Sequence, residues 1–350
     1  MLTMHPPMIS RHLLPSLLGA GLLAVAAALA APAFAQAQAA TSQLAEPQAG
    51  YHRLKVGEVE VIALSDGTLP LGTAVLQAPA ARVERLLARS YAASPVQASV
   101  NAFLVKLAGH LILVDAGTGE LYGPTLDKLP GTLRRLGYAP EQVTDILVTH
   151  VHTDHTGGLM NGTTRVYPNA VVHVDRREVA YWLDPANPAR AEANKQRLFV
   201  EAKAKFAPYV AAGQVKAFDG ATELFPGLRS QPAYGHTPGH SFYVLESQGQ
   251  KLVFWGDLLH VAEVQMPEPS VTIDFDSDPR AAAATRQAAF AEAAKQGYLA
   301  AAAHISFPGI GRLKRDGAGY RWFPLVYVND ALPGSPDAAQ RNPGAAPEKQ

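Results

Sequence analysis

The 350-residue chain contains no cysteine. That absence excludes disulfides and thiolate ligands together, so any metal held here must sit on nitrogen and oxygen. Charge of one sign is also missing, because 30 basic and 30 acidic residues cancel. Without a basic field or a run of like charges, nothing in the composition draws nucleic acid. After the first 31 residues no stretch is apolar for long enough to read as a membrane span.

What is present begins with that first stretch. Residues 13–31, LLPSLLGAGLLAVAAALAA, follow Arg11 and His12 and lead into PAFA. Pro15 interrupts the run, and Ala33 and Ala35 supply the small residues of a cleavage site. The expectation is a signal peptide over 1–35, cut after Ala35, rather than a stable membrane anchor. Twin arginines are absent, so export to the periplasm or beyond would use the general secretion route. Residues 36–50 read as a mobile Ala/Gln-rich arm and 332–350 as a disordered tail. No linker or short repeat interrupts the rest, so one domain is expected over 36–331.

Strands and helices alternate within it. Residues 59–64, 101–107 and 110–117 read as strands, the last two joined by Ala108-Gly109. A helix is expected over 124–136 with Gly137 as its terminator. Strands follow at 144–150 and 170–175, then helices at 176–183 and 189–207. SFYVLES and KLVFWGD, around Gln248-Gly249-Gln250, form a hairpin signature. Asp278-Pro279 opens a helix that Gly297 ends, and 298–304 reads as a strand. The stretch 68–100 gives no clear placement. The alternation predicts a layered α/β (α+β) fold with sheet buried under helices.

Chemistry concentrates in THVHTDHTGGL (149–159). Of twelve histidines, three fall here beside an aspartate. Residues two apart in extended chain face the same way, so His150 and His152 can meet at one point. Asp154 and His155 lie past a bend, which Gly157-Gly158 should allow, and can face a second point. These are two half-sites that other segments must complete. GHTPGH offers His236 and His240. The hairpin should return Asp257 beside His236, and the last strand ends on His304. Imidazole with carboxylate suits zinc, manganese or iron(II), and paired ions can share a hydroxide and a bridging carboxylate.

The pattern H-x-H-x-D-H with GHTPGH, a later Asp and a last His resembles the metallo-β-lactamase superfamily. LSDGT, NAFLV, VDAGTG, GHTPGHS and AHISFPGIG give it the look of the methyl parathion hydrolase-like branch. The resemblance implies a four-layer αββα sandwich with two divalent metals, zinc above all, at one sheet rim. By it, His150, His152 and His236 would bind one metal, Asp154, His155 and His304 the other, and Asp257 would bridge. It implies an exported, homodimeric hydrolase of small aryl esters or lactones, and of organophosphate triesters in some members. A metal-bridging hydroxide would attack, with Asp154 also taking the released proton. Tyr122, Trp182 and Phe199 would line an aromatic pocket.

Departures narrow the choice. Redox diiron relatives place Glu where His152 stands, and some β-lactamases use a cysteine. The best-known homoserine lactonases carry Tyr three residues after the bridging Asp, where this chain has His260. That residue reads as a pocket-rim histidine or a donor to substrate. His240 reads as supporting rather than ligating. Asp66 and Asp115 read as structural, and His110 and His173 as non-functional. A β-lactamase or thioesterase-type hydrolase and a non-catalytic metal-binding protein are the alternatives.

Overall fold

Period-two alternation sorts the side chains of the strands between two cores. In the computed structural model, which describes residues 48–193 and 195–328, Ile62 and Leu64 point to one core while Val61 and Ala63 point to the other. Leu104 and Phe103 divide the same way. This is what a strand buried on both faces requires. The expected signal peptide and tail lie outside the described residues, as does most of the expected arm.

The first sheet begins with β1 (Tyr51–Val56), β2 (Val59–Leu71), β3 (Val96–Leu107), β4 (His110–Val114) and β5 (Asp145–Leu147). A separate ribbon of β6 (Met160–Asn161) and β7 (Thr164–Arg165) follows the histidine motif. The first sheet is then completed by β8 (Val171–Asp175) and β9 (Val215–Phe218), in the order β1-β2-β3-β4-β5-β8-β9. The second sheet holds β10 (Glu223–Phe225), β11 (Leu228–Pro232), β12 (Ser241–Ser247), β13 (Gln250–Phe254), β14 (Leu299–Ala301), β15 (Ile310–Asp316) and β16 (Gly319–Pro324), in sequence order.

Between the sheets, Phe103, Val105 and Val114 meet Tyr243, Leu252 and Phe254. Helices Leu129–Arg135, Arg176–Trp182 and Gln196–Ala211 cover the outer face of the first sheet through Leu133, Trp182 and Phe206. Helix Pro279–Gln296 covers the second through Ala289, Phe290 and Ala293. Four layers result, αββα, as the resemblance implied. The β12–β13 hairpin and the Ala108-Gly109 turn form as read. Asp278 caps its helix by accepting from the Ala281 amide, and Gly297 ends it in the left-handed region.

Several boundaries differ, among them the following four. The helix expected from 124 starts at Leu129, because the Asp66 carboxylate, from a bulge in β2, takes the amides of Lys128 and Leu129. That side chain caps the helix from another element. The helix expected over 189–207 is a short turn, Pro188–Arg190, an extended Ala191, and then Gln196–Ala211. The strand expected over 144–150 stops at Leu147, where Asp115 draws the Thr149 amide away from the sheet. The strand expected over 298–304 stops at Ala301, and Ala302 bonds to Gly309 instead. In the unplaced stretch, a helix spans Ala80–Arg89 and buries Val83, Leu86 and Leu87 against Val261, Val264 and Ile273.

Candidate metal centre

Every motif residue arrives at the same rim of the sandwich. His150 to His155 follow β5, His236 follows β11, Asp257 follows β13 and His304 follows β14. Two clusters form, His150–His152–His236–Asp257 and Asp154–His155–Asp257–His304, each with donor atoms within 4.8 Å of one another. Asp257 belongs to both. Its Oδ2 lies 3.3 Å from His236 Nε2 and 3.5 Å from His150 Nε2. Its Oδ1 lies 3.0 Å from both His155 Nε2 and His304 Nε2. Asp154 Oδ2 stands 3.5 Å and 3.4 Å from the same two nitrogens.

The surrounding acceptors decide which nitrogen each ring turns inward. His155 donates through Nδ1 to Asp115 at 2.8 Å, His236 to Asp276 at 2.9 Å, and His304 to the Ser99 carbonyl at 2.8 Å. Thr149 gives its hydroxyl proton to Asp115, so it accepts from His150 Nδ1 at 3.1 Å. With Nδ1 occupied as donor, each of the four rings faces the cluster through Nε2, the usual support for a metal-binding imidazole. His152 enters through Nδ1, 3.0 Å from both His150 Nε2 and His236 Nε2.

Two buried atoms test whether ions fit. His155 Nε2 and Asp257 Oδ1 have no hydrogen-bond partner, although they stand 3.0 Å apart. They make no hydrogen bond to each other, and both belong to the same group of donor atoms. Unsatisfied buried atoms of this kind are costly unless an ion satisfies them, so this donor set fits a divalent metal. Protons compete for the same lone pairs. Burial opposes charge on His304, but Asp257 and Asp154 push its pKa up to about 10. Burial likewise opposes charge on His236, but Asp257 and Asp276 push it up to about 9. His155 is raised in the same sense, against burial, by Asp257 and Asp154. Burial and the neighbouring His236 pull His152 down to about 3.

The supporting residues take definite places. Asp115, with φ of 60°, accepts from His155 and from both the amide and hydroxyl of Thr149. Asp66 holds Thr118 and the helix start. His240 donates to the Ala233 carbonyl and accepts the Asp257 amide at 3.1 Å, so it orients the bridging residue without facing the clusters. His110 and His173 share Asp145, at 2.8 Å each, among strands away from this rim. Gly157 and Gly158 have a different role from the expected bend. Gly157 has an ordinary helical φ of −57°. A Cβ on either residue would stand 2.0 Å from a carbonyl of Thr118 or Ala116, so both glycines permit close packing of two loops.

The pocket candidates separate. Tyr122 is partly exposed and shares a 2.6 Å hydrogen bond with Thr153, next to Asp154. Burial and the Asp154 charge push its pKa up to about 12, so it stays protonated. Trp182 and Phe199 are buried together in the helix-covered core, and Trp182 meets the His152 ring edge-on at 5.3 Å. His260 is not at a rim. It is buried, with Nε2 3.0 Å from Asp257 Oδ2. Phe275, 43% exposed, stands 5.9 Å from that ring.

Sequence reasoning missed Glu178, Asp276 and Asn101 as parts of the site. Asn101 donates to the carbonyls of Ala302 and Ile305 and so shapes the turn that carries His304. Glu178 is buried, and its pKa is raised by that burial although backbone amides oppose the shift. Its signal was the helical i, i+4 spacing to Trp182, whose indole it accepts at 3.0 Å.

A sandwich with two histidine–aspartate clusters at one rim defines a class, and the family comparison gives it a name. The model of the metallo-beta-lactamase superfamily matches residues 96–304, and the chain belongs to that superfamily. Among solved structures, the hydrolase AbOPH of the beta lactamase superfamily is 36% identical, with 81% of this chain and 100% of that one covered and a TM-score of 0.78. AidC, a dizinc quorum-quenching lactonase, is 25% identical over 80% of this chain and 99% of its own, with a TM-score of 0.74. An N-acyl homoserine lactonase of Bacillus cereus is 28% identical over 127 residues, which is 36% of this chain and 42% of the relative's length.

Proposed function

We propose that the protein is an exported dinuclear metallohydrolase of lactones and aryl esters, of the methyl parathion hydrolase-like branch, with phosphotriesters as further substrates. The observation that carries this reading is the division of Asp257, one oxygen to each cluster. Two divalent ions, zinc foremost, would supply hydroxide at neutral pH and polarise the bond under attack. His150, His152 and His236 would hold one, Asp154, His155 and His304 the other, with Asp257 shared. The family relatives named as lactonases support the substrate class.

The chain's own groups set the direction of approach. Asp154 and His152 are the two ligands not fully buried, so substrate meets the centre from their side. Tyr122, protonated beside Asp154, is placed there as a donor to substrate or leaving group. The Asp154 side chain is partly exposed, so a proton taken at its carboxylate would pass to solvent. Export rests on the pattern of residues 1–35, and a homodimer rests on the resemblance alone.

The test uses the chain from Gln36 onward, loaded with zinc or manganese. Dihydrocoumarin, phenyl acetate, methyl paraoxon and a chromogenic β-lactam are assayed with and without chelator, beside His152→Ala. Chelator-sensitive lactone or ester cleavage, reduced at least about 100-fold in His152→Ala, is expected. β-Lactam turnover alone would move the protein to another hydrolase of the superfamily. Two bound ions with no turnover would leave a metal-binding protein.

A further inference from the structure

One buried carboxylate grips both loops that present the three-histidine cluster. Glu178 lies on the helix Arg176–Trp182 and is fully buried. Its Oε2 accepts the Val151 amide at 2.8 Å, from the residue between His150 and His152. Its Oε1 accepts the Gly239 amide at 2.6 Å, from the loop between His236 and His240. The same helix approaches Gly239 so closely that a Cβ there would stand 2.8 Å from the Glu178 backbone nitrogen. The supports of the other cluster are different groups: Asp115 for His155, and Ser99 and Asn101 for the His304 turn.

We propose that Glu178 is the positioning residue of the His150–His152–His236 metal position, joining its two loops through their backbone amides. The inference rests on the dinuclear reading above. Glutamate is the residue this task needs, because both oxygens must accept from N–H groups. Glutamine is the same size but carries one acceptor and one NH₂ donor. In either orientation its NH₂ faces an amide hydrogen, so one loop loses its anchor. Aspartate keeps the charge but is one methylene too short to reach both loops.

The experiment titrates zinc into the metal-free full chain against a chromogenic chelator, and cobalt(II) in parallel, whose visible spectrum reports ligand geometry. Wild type should take up two ions. Glu178→Gln and Glu178→Asp should each weaken one position about 10–100-fold, leave the other within about twofold, and alter the cobalt spectrum. Arg177→Ala, an exposed neighbour on the same helix, should leave both positions unchanged. Equal weakening of both positions, or of neither, would overturn the proposal. Failure of both Glu178 variants to fold would also overturn it, since Glu178 would then be a determinant of the fold. A wild-type chain that binds fewer than two ions would overturn the dinuclear reading, and this inference with it.

Discussion

Four of the five ligand histidines are held by a partner on the nitrogen turned away from the centre, and the aspartates on the inward side have a measurable consequence in protons. Without metal, the neighbouring aspartates outweigh burial and push His304 up to about 10 and His236 up to about 9, and His155 is raised as well. At pH 7 His304 and His236 therefore carry a proton on the atom that must ligate, and His155 is shifted in the same direction. Metal binding has to displace those protons, so affinity should rise with pH until the histidines have lost them. Calorimetry of zinc binding at pH 7 in two buffers of different ionisation enthalpy should show release of more than one proton per chain. Identical heats in the two buffers would mean that the ligands are already neutral and that the aspartates do not hold those protons.

Among the elements, the loop after β13 depends on a side chain from beneath it. Arg286, on the helix Pro279–Gln296, is buried and donates to the carbonyls of Leu258, Pro269 and Val271. The loop between them carries His260, and Leu258 adjoins Asp257. Arg286→Met should strand the Leu258 and Pro269 carbonyls, at a cost of about 1–3 kcal/mol for each one left dry, while Gln265 still donates to Val271. Urea unfolding of the metal-free variant should show a clearly lower midpoint than wild type. An unchanged midpoint would mean that water replaces the guanidinium and that the loop holds itself.

Such long-range pieces mark where the sequence stopped being legible. The ligands could be read because their residue types and local spacing carry the chemistry, and hairpin geometry alone brought Asp257 to His236. Asp66 ending an expected helix at Leu129 could not be read, since the cap is 62 residues away. Gly157 and Gly158 looked like bend residues because their true constraint, the carbonyls of loop 116–118, is a tertiary contact. Arg286 lies in an alanine-rich helix, where nothing local distinguishes it from the exposed Arg280. The helix Ala80–Arg89 has its apolar partners near residues 261–273, so its own sequence gave little sign of what it covers.

At the scale of the molecule, the chain divides in order. Strands β1–β5, β8 and β9 make one sheet, and β10–β16 make the other. The segment between them includes Asp219 and Ala221, both exposed. Each metal position takes two ligands from before this segment and two from after it. Neither half thus holds a complete donor set, and an ion bound there would be a rivet between two separately drawn sheets. A chain nicked within 219–221 should keep its zinc only while both parts remain docked. Its unfolding in urea should depend more steeply on protein concentration than that of the intact chain once zinc is chelated. Zinc content would then report, without any substrate, how often the two halves of this fold part company.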